Sequence, residues 1–282
     1  MRILLTNDDG FDAPGIRAMH DALLDVDGEF GSPLGDVFAV APTTVQSATS
    51  HGITFHKPLM TELRSEHDSM RGVAVDGRPA DCVKLALANL WHEHSGYMDP
   101  PDLVISGMNA GANIGINVIY SGTVAAALEA AFLGVPSIAV SLHLGSGEAN
   151  FDRAASHARR AIEFVLSLRD EHGTAPALRN HSCMNINIPR CETDDCPLPQ
   201  MTMCSMNTHG HNDRFEKRAS PGGGIYYWAA TGGLDFRDAD DDSDVARLLA
   251  REITITPLHH DLTDAPKLGY WKSLCGVGEG LA

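Results

Sequence analysis

The sequence predicts an α/β fold in which helices cover both faces of a mostly parallel sheet. Short apolar runs alternate along the chain with segments of helical periodicity. The runs are apolar at successive positions, as strands are when both faces of a parallel sheet are buried. The chain has 282 residues, 43% hydrophobic and 21% charged, which supplies a full core and excludes a disordered or fibrous protein. Together these observations predict a doubly wound, Rossmann-like sheet.

Six apolar, β-rich runs are predicted to be strands: residues 3–6, 37–41, 72–75, 103–106, 137–141 and 184–188. Four segments between them carry apolar residues at helical spacing and are predicted helices: residues 14–24, 80–91, 123–133 and 152–168. Because strands that alternate with helices form βαβ units, residues 1–189 are expected to be the α/β core.

From residue 190 the composition shifts to Pro, Gly, Cys and aromatic residues. Strand-like segments at 200–205 and 225–230, then a helix at 243–251 and a strand at 253–257, predict a C-terminal antiparallel β-hairpin extension with a closing helix and strand. No repeat or low-complexity linker separates this part, so we expect a single domain over 1–282 with the extension at 190–266. The tail at 267–282 has no strong pattern and is expected to be partly disordered.

The net charge excludes two classes of partner. Lys plus Arg is 21 and Asp plus Glu is 37, which gives −16 with neutral His. Such a surface repels nucleic-acid polymers and anionic membranes. The N-terminus does not resemble a signal peptide, and no apolar stretch reaches the roughly 18–20 residues that cross a bilayer, so a cytoplasmic location is expected. The six Cys residues are expected to be reduced thiols without disulfides.

Two adjacent carboxylates, Asp8 and Asp9, follow the first predicted strand. In open α/β sheets ligands bind beyond the carboxyl ends of the strands, so this loop is a candidate site. Buried neighbouring carboxylates repel each other unless a cation is present, and Gly10 lets the backbone turn so that both reach one ion. The alternative is an acidic turn in which Asp12 caps the helix that begins at Pro14. We favour the capping role for Asp12 and a divalent metal for the pair.

Three further loops add polar groups. Residues 106–115 carry three Gly spaced by four with Asn between them, which places backbone N–H groups and amide oxygens in a cleft. Residues 120–123 begin a helix whose N–H groups can bind phosphate, with simple N-capping by Ser121 or Thr123 as the alternative. Residues 42–52 are rich in hydroxyls. Carboxylate, hydroxyl and amide oxygens are hard ligands that favour Mg²⁺ or Mn²⁺ over Zn²⁺.

Several motifs occur in the order known from one family: ILLTNDDG at 3–10 with APG at 13–15, QS at 46–47, VDGRPADCV at 75–83, SGMN at 106–109 and YSGT at 120–123. In these motifs the chain resembles the SurE survival-protein family. Members of that family are metal-dependent acid phosphatases that act as 5′- and 3′-nucleotidases, and some also trim short polyphosphate. The resemblance implies a SurE-like fold and a phosphomonoesterase that acts on nucleoside monophosphates.

The resemblance also implies a role for individual residues. One divalent ion per subunit, Mg²⁺ or Mn²⁺, would be held by Asp8, Asp9, Ser47 and Asn109. The phosphate group would be bound by Asn113, Ser121, Gly122 and Thr123. We expect Asp8 to accept the proton of the attacking water. The sequence departs from the family at 43–45, where TTV replaces charged residues, and at Ala48, where Gly is common.

The quaternary structure is likewise implied by the resemblance. A homodimer or a dimer of dimers is expected, in which the C-terminal hairpin reaches across to the partner. Tyr226, Tyr227 and Trp228 are the aromatic residues that such an interface would bury.

Two other classes of protein share an acidic loop after the first strand. A haloacid-dehalogenase-like phosphatase needs a second Asp two residues after the first, where this chain has Gly10. A receiver-type signalling module is a doubly wound domain of ~120 residues and has no counterpart of the 106–115 loop. Both classes would form an aspartyl phosphate, which distinguishes them from direct attack by water.

Other polar clusters are expected to have no metal. Cys191 with Cys196, and Cys204 with His209 and His211, fit no common zinc spacing. The acidic run at 235–244 lacks the Gly and Glu of a calcium loop and is expected to be solvated. His51 and His56 are candidates for proton transfer near the cleft, although structural or surface roles are favoured.

Overall fold

The computed structural model describes residues 1–64, 70–230 and 234–274. The strands in these ranges are β1 (Arg2–Thr6), β2 (Asp36–Pro42), β3 (Thr61–Arg64), β4 (Gly72–Val75), β5 (Leu103–Ala110), β6 (Ser137–Leu142), β7 (Cys183–Ile188), β8 (Met201–Met203), β9 (Phe215–Ala219), β10 (Ile225–Ala229) and β11 (Ile253–Leu258). The α-helices are α1 (Pro14–Leu24), α2 (Pro79–Leu85), α3 (Gly122–Phe132), α4 (Phe151–Ser167), α5 (Asp244–Leu249) and α6 (Ala265–Leu274). A π-helical stretch, Ala86–Ser95, continues α2, and a 3₁₀ turn, Gly115–Tyr120, precedes α3.

Nine strands form one sheet in the order β3-β4-β2-β1-β5-β6-β7-β11-β8. From β4 to β7 all neighbours are parallel. The chain runs outward from β1 to β2 and β4, and then returns to place β5 on the other side of β1. The strand order therefore reverses between β1 and β5, which is where doubly wound sheets bind ligands. The predicted α/β fold is confirmed.

Helices cover both faces of the sheet, as the apolar runs predict. On β1, Ile3 and Leu5 pack into a core cluster that includes residues of α1 and α4. Leu4 packs on the opposite face, in a cluster that includes residues of α2 and α3. Successive side chains of a strand face opposite sides, so a strand buried on both faces needs apolar residues throughout. Ile3, Leu4 and Leu5 are all fully buried.

The C-terminal extension divides into two parts. The predicted strand at 200–205 is β8, which joins the main sheet beside β11, and β11 runs antiparallel to β7. The predicted strand at 225–230 is β10, which forms a separate antiparallel hairpin with β9. Periodicity does not predict β9, because its sequence FEKRA is exposed along its whole length and carries no apolar alternation. The edge strand β3, with the sequence TELR, is also not predicted, because three of its four residues are exposed and its sequence has no apolar alternation.

One local prediction holds only in part, and another is wrong. The helix predicted at 80–91 is α-helical only to Leu85 and then widens into the π-helical stretch. Asp12 does not cap α1, because Ala13 is the N-cap residue and contributes no side-chain hydrogen bond. Pro14 has no N–H group at the first helical position. The Asp12 carboxylate instead accepts hydrogen bonds from Arg17 and Arg64, at 2.5 and 3.3 Å.

Helix α6 occupies the start of the predicted tail and has no buried residue. The rest of that prediction, residues 275–282, lies outside the described residues. Among the helices of the described ranges, none combines the length and the apolar character that a membrane span requires. The cytoplasmic location stays a prediction.

Candidate active site

A cavity of about 350 Å³ opens beyond the carboxyl ends of β1 and β5, where the strand order reverses. Five of the predicted site residues line it: Asp8, Ser47, Asn109, Asn113 and Ser121. The other three, Asp9, Gly122 and Thr123, contact residues of its wall instead. The structure thus brings residues from four separate loops to one place.

The turn after β1 is held by the side chain of Asn7. This side chain is fully buried, donates from Nδ2 to the carbonyl of Gly10 at 2.8 Å and accepts from the N–H of Gly10 at 3.3 Å. Gly10 has a φ of +105°, which a residue with a Cβ rarely adopts. The next N–H, of Phe11, donates to the carbonyl of Pro42 at the end of β2. Asn7 is a site residue that sequence reasoning missed, although Asn before a tight turn is a known signal.

Asp8 is held in a buried position at the start of α3. The residue is 5% exposed, and Thr123 donates a short hydrogen bond from Oγ1 to Oδ1. Burial raises the pKa of Asp8 to about 6; the hydrogen bond from Thr123 lowers the pKa, and the charge of Asp9 raises it. Gly122 fits against this carboxylate because it has no side chain: a Cβ there would lie 2.8 Å from Oδ2.

Asp9 joins the turn after β1 to the end of β5. Its Oδ2 accepts a hydrogen bond from the backbone N–H of Ala110 at 2.8 Å. Burial raises the pKa of Asp9, and the bond from Ala110 lowers it. Two adjacent carboxylates with raised pKa values make an electrostatically unfavourable pair, which a cation would relieve.

The loop after β2 brings Ser47 to the cavity. The N–H of Gln46 donates to the carbonyl of Asp8 at 2.7 Å, which fixes this loop to the acidic turn. Ser47 is exposed and lines the cavity. Ala48, where the resemblance leads us to expect Gly, has a left-handed backbone with a φ of +56°. The loop therefore keeps a glycine-like conformation at a cost in backbone strain.

Asn109 lies at the end of β5, where a register shift between Ser106 and Asn109 interrupts the pairing with β6. Its Nδ2 donates to the carbonyl of Gly111 at 2.6 Å. The amide nitrogen is therefore used within the loop, and within the described residues Oδ1 accepts no hydrogen bond. An amide oxygen in this position is suited to bind a cation.

A buried network of Asn side chains positions Asn113. Its backbone N–H donates to Asn187 Oδ1 at 2.8 Å, and its carbonyl accepts from Nδ2 of Asn185 and of Asn187. Its own Nδ2 donates to Ser141 Oγ at 2.9 Å. Asn185 and Asn187 are fully buried and were not predicted. The signal was their alternation with Ile in β7, since polar residues in an apolar strand need partners.

Ser121 caps the N-terminus of α3, which was the alternative to phosphate binding in the sequence analysis. Ser121 is the N-cap residue and accepts a hydrogen bond from the N–H of Val124 at 3.1 Å. The same residue lines the cavity, and its hydroxyl hydrogen remains available for a ligand. Thr123 donates a hydrogen bond to the carboxylate of Asp8, and Gly122 packs against that carboxylate. Their predicted contact with phosphate stays a prediction.

His143 follows β6 and also lines the cavity, although it was not predicted. Burial, with the charges of Arg190 and Arg251, lowers its pKa, so the imidazole is neutral at neutral pH. Its position just after a parallel strand is the same signal that pointed to Asp8. Tyr120, Leu144 and Leu234 are the large side chains with apolar surface in the lining.

His51 has a structural role in the loop after β2. Its Nε2 is 2.7 Å from Glu129 Oε2, and Lys84 donates to the other oxygen of Glu129 at 2.9 Å. Burial alone would raise the pKa of Glu129, but these two hydrogen bonds lower it. The pair ties the loop to α3. His56 is exposed and does not line the cavity.

The fold and the cavity define an α/β protein with an acidic, oxygen-lined ligand site at the switch point of its sheet. A family model described as survival protein SurE matches residues 3–212. The 5′-nucleotidase SurE of Rhodopirellula baltica is 42% identical over 263 residues, which cover 93% of this chain and 94% of that protein. The 5′-nucleotidase SurE of Carboxydothermus hydrogenoformans is 39% identical over 282 residues, which cover 99% and 98%.

A solved structure shows the same similarity. The crystal structure of the SurE protein from Aquifex aeolicus has a TM-score of 0.76 and 32% sequence identity, and the match covers 96% of this chain and 98% of that chain. The chain belongs to the SurE family.

Proposed function

We propose that this chain is a divalent-metal-dependent phosphomonoesterase that hydrolyses nucleoside 5′- and 3′-monophosphates to nucleoside and phosphate. Relatives at about 40% identity over nearly the whole chain carry the name 5′-nucleotidase SurE, which supports the substrate class. The single observation that carries the proposal is the adjacent pair of carboxylates, buried Asp8 and half-buried Asp9, beside Ser47 and Asn109 at the switch point. Short polyphosphate is a further proposed substrate, from the family resemblance.

The residues present fit one divalent cation. Asp8 and Asp9 both have raised pKa values, and Asn109 Oδ1 and Ser47 Oγ add neutral oxygens. Carboxylate, amide and hydroxyl oxygens are the ligands of Mg²⁺ and Mn²⁺, so we propose one such ion per subunit. When bound, the ion lowers the pKa of water and neutralises phosphoryl oxygens, which matters in a protein of charge −16.

The protein's own residues hold the reactants in place. Thr123 donates a hydrogen bond to Oδ1 of Asp8, which supports the proposed role of this carboxylate as the acceptor of the attacking water's proton. Asn113 and Ser121 line the same cavity, and their polar groups bind the phosphoryl oxygens. The apolar lining by Tyr120, Leu144 and Leu234 provides a surface for a nucleoside, which bare phosphate would not need.

The test is the release of phosphate from a panel of 5′- and 3′-nucleoside monophosphates and from short polyphosphate, with Mg²⁺, with Mn²⁺ and with a chelator. The wild type should be active with metal and inactive with chelator. Asp9→Asn should lose most activity, whereas Asp12→Asn, an exposed carboxylate outside the cavity, should keep it. Full activity in the chelator, or in Asp9→Asn, would contradict the proposal.

Direct attack by water is proposed in place of a covalent phosphoenzyme. A single in-line displacement inverts the configuration at phosphorus, whereas two successive displacements through an aspartyl phosphate retain it. Hydrolysis of a chiral phosphate ester should therefore give inversion. Net retention, or a trapped aspartyl phosphate, would favour the phosphatase or receiver alternatives.

We propose a homodimer, or a dimer of dimers, built through the β9–β10 hairpin. The hairpin stands apart from the main sheet, and its apolar side chains are exposed: Phe215 65%, Ile225 61%, Tyr226 44%, Tyr227 61% and Trp228 63%. Exposed aromatic residues in a cluster are typical of interfaces. Light scattering at micromolar concentration should report at least a dimer, and a monomer would refute this assignment.

A further inference from the structure

A second group of metal-binding side chains lies away from the cavity. His157 of α4 and Cys191 and Cys196 of the segment after β7 place their ligand atoms within 4.8 Å of one another. None of the three lines the active-site cavity. The spacing of Cys191 and Cys196 in the sequence fits no common zinc pattern. The fold instead supplies a histidine from an earlier helix.

The His157 ring is 1% exposed, and among the described residues neither ring nitrogen makes a hydrogen bond of good geometry. The backbone carbonyl of Cys196 lies beside the ring. Burial and the charge of Arg153 lower the pKa of His157, and the backbone carbonyl of Cys196 raises it. A buried imidazole with two unsatisfied nitrogens is costly, and such groups in native proteins call for an explanation. A metal bound to one nitrogen would provide it.

The two cysteines are held in a tight loop that is anchored to the start of α4. The N–H of Cys196 donates to the carbonyl of Thr193 at 3.3 Å, and the N–H of Asn150 donates to the carbonyl of Cys191 at 2.9 Å. Arg153 Nε donates to the carbonyl of Cys196 at 3.1 Å. Both backbones are therefore fixed next to the helix that carries His157, and the three ligands need little rearrangement.

We propose that His157, Cys191 and Cys196 form a zinc-binding site with three protein ligands. Thiolate and imidazole are the ligands that zinc prefers, whereas Mg²⁺ and Mn²⁺ prefer oxygens. This site should therefore bind zinc, and the active-site cavity should bind Mg²⁺ or Mn²⁺. Binding releases one proton from each thiol to solvent as each sulfur bonds to the ion. Two thiolates then balance the two charges of Zn²⁺, and the buried cluster is neutral.

The zinc ion would connect α4 to the segment that leads from β7 toward β8. Cys191 is 2% exposed, whereas Cys196 is only partly buried. Three protein ligands leave the fourth position of a tetrahedral zinc ion to a water molecule. A cysteine binds zinc as the thiolate, so each thiol must lose its proton before its sulfur bonds to the ion. Zinc affinity should therefore increase with pH.

The test is a zinc titration of the reduced, chelator-stripped protein against a chromophoric chelator, with Mg²⁺ in excess. The wild type should bind one zinc per chain. Cys191→Ser and Cys196→Ser should each weaken binding by about 100-fold or more. The matched control is Cys204→Ser, a half-buried thiol outside the cluster that contacts Thr256. Asp9→Asn should bind zinc like the wild type, which separates this site from the cavity.

Equal zinc affinity in the wild type and both cysteine variants would overturn the proposal, and so would a loss of zinc only in Asp9→Asn. A second readout needs no variant. Co²⁺ added to the wild type should give thiolate-to-metal charge-transfer absorption, and its absence would refute thiolate ligation. Protein purified without oxygen should have five free thiols among the cysteines of the described ranges. A Cys191–Cys196 disulfide in that protein would leave no thiolates to bind zinc and would overturn the proposal.

Discussion

Asp8→Asn should stabilise the metal-free protein while it removes phosphatase activity. Burial raises the pKa of Asp8 from 3.8 to about 6. Above about pH 6, Asp8 is ionised in the folded protein, although its ionisation is more favourable in the unfolded chain. The difference of about two pKa units, at 1.36 kcal/mol each, costs about 3 kcal/mol of folding stability. Asn carries no charge, and its Oδ1 can still accept the hydrogen bond from Thr123, so the variant escapes most of this cost.

The direction of the pH dependence follows from the same values. The pKa of Asp8 is higher in the folded than in the unfolded state, so between pH 3.8 and about 6 the folded state binds more protons. Ionisation of Asp8 therefore lowers the stability as the pH rises through this window. The advantage of Asp8→Asn should be complete well above pH 6, and at about pH 4.5 roughly a third of it should remain.

The assay is urea unfolding in a chelator at about pH 7.5 and about pH 4.5, with phosphate release measured in parallel. Asp12→Asn is the control, since it removes a carboxylate from exposed ion pairs and should change the free energy of unfolding by less than about 1 kcal/mol. A less stable Asp8→Asn at the higher pH, or an advantage that does not shrink at the lower pH, would refute the reasoning.

Four further predictions concern the cavity. Gly122→Ala should lower kcat about tenfold or more, since the added Cβ would lie 2.8 Å from Asp8 Oδ2 and displace it; an unchanged kcat would show that Asp8 need not stay in place. Ala48→Gly should raise the free energy of unfolding by about 1 kcal/mol by relieving the positive φ, and denaturant unfolding that shows a loss would contradict the strain. Ser47→Ala should weaken Mn²⁺ binding more than it lowers kcat, whereas Thr123→Ala should lower kcat more than it weakens Mn²⁺ binding. Kinetics at varied Mn²⁺ concentration measure the two effects separately, and variants with equal effects on both would count against the two roles. Mn²⁺ should raise the Tm of the wild type but not of Asp9→Asn, and an unchanged wild-type Tm at saturating Mn²⁺ would argue against the metal site.

Much of the cavity could be predicted because its residues follow parallel strands. Asp8 follows β1 and Asn109 ends β5, and these strands are neighbours on either side of the reversal in strand order. Because ligands bind beyond the carboxyl ends of the strands, the sequence alone predicts that these two side chains lie close together. His143 follows β6 and obeys the same rule, so it was within reach of sequence reasoning.

Other parts depended on contacts that the local sequence does not encode. The bond from Thr123 to Asp8 joins the start of a helix to a distant strand end, and the motif containing Thr123 reads equally well as a phosphate site. His157 lies on the buried face of an amphipathic helix, where its spacing is that of an ordinary core residue. The exposed strand β9 has no apolar period at all. Each of these required the assembled fold.

The most direct test of the central claim is a crystal structure of the protein with Mn²⁺, in which anomalous scattering locates the ion. The proposal expects one anomalous peak per chain in the cavity, with oxygens of Asp8, Asp9, Ser47 and Asn109 as its protein ligands. A peak elsewhere, or a cavity with no peak at a concentration of Mn²⁺ that supports full activity, would contradict it.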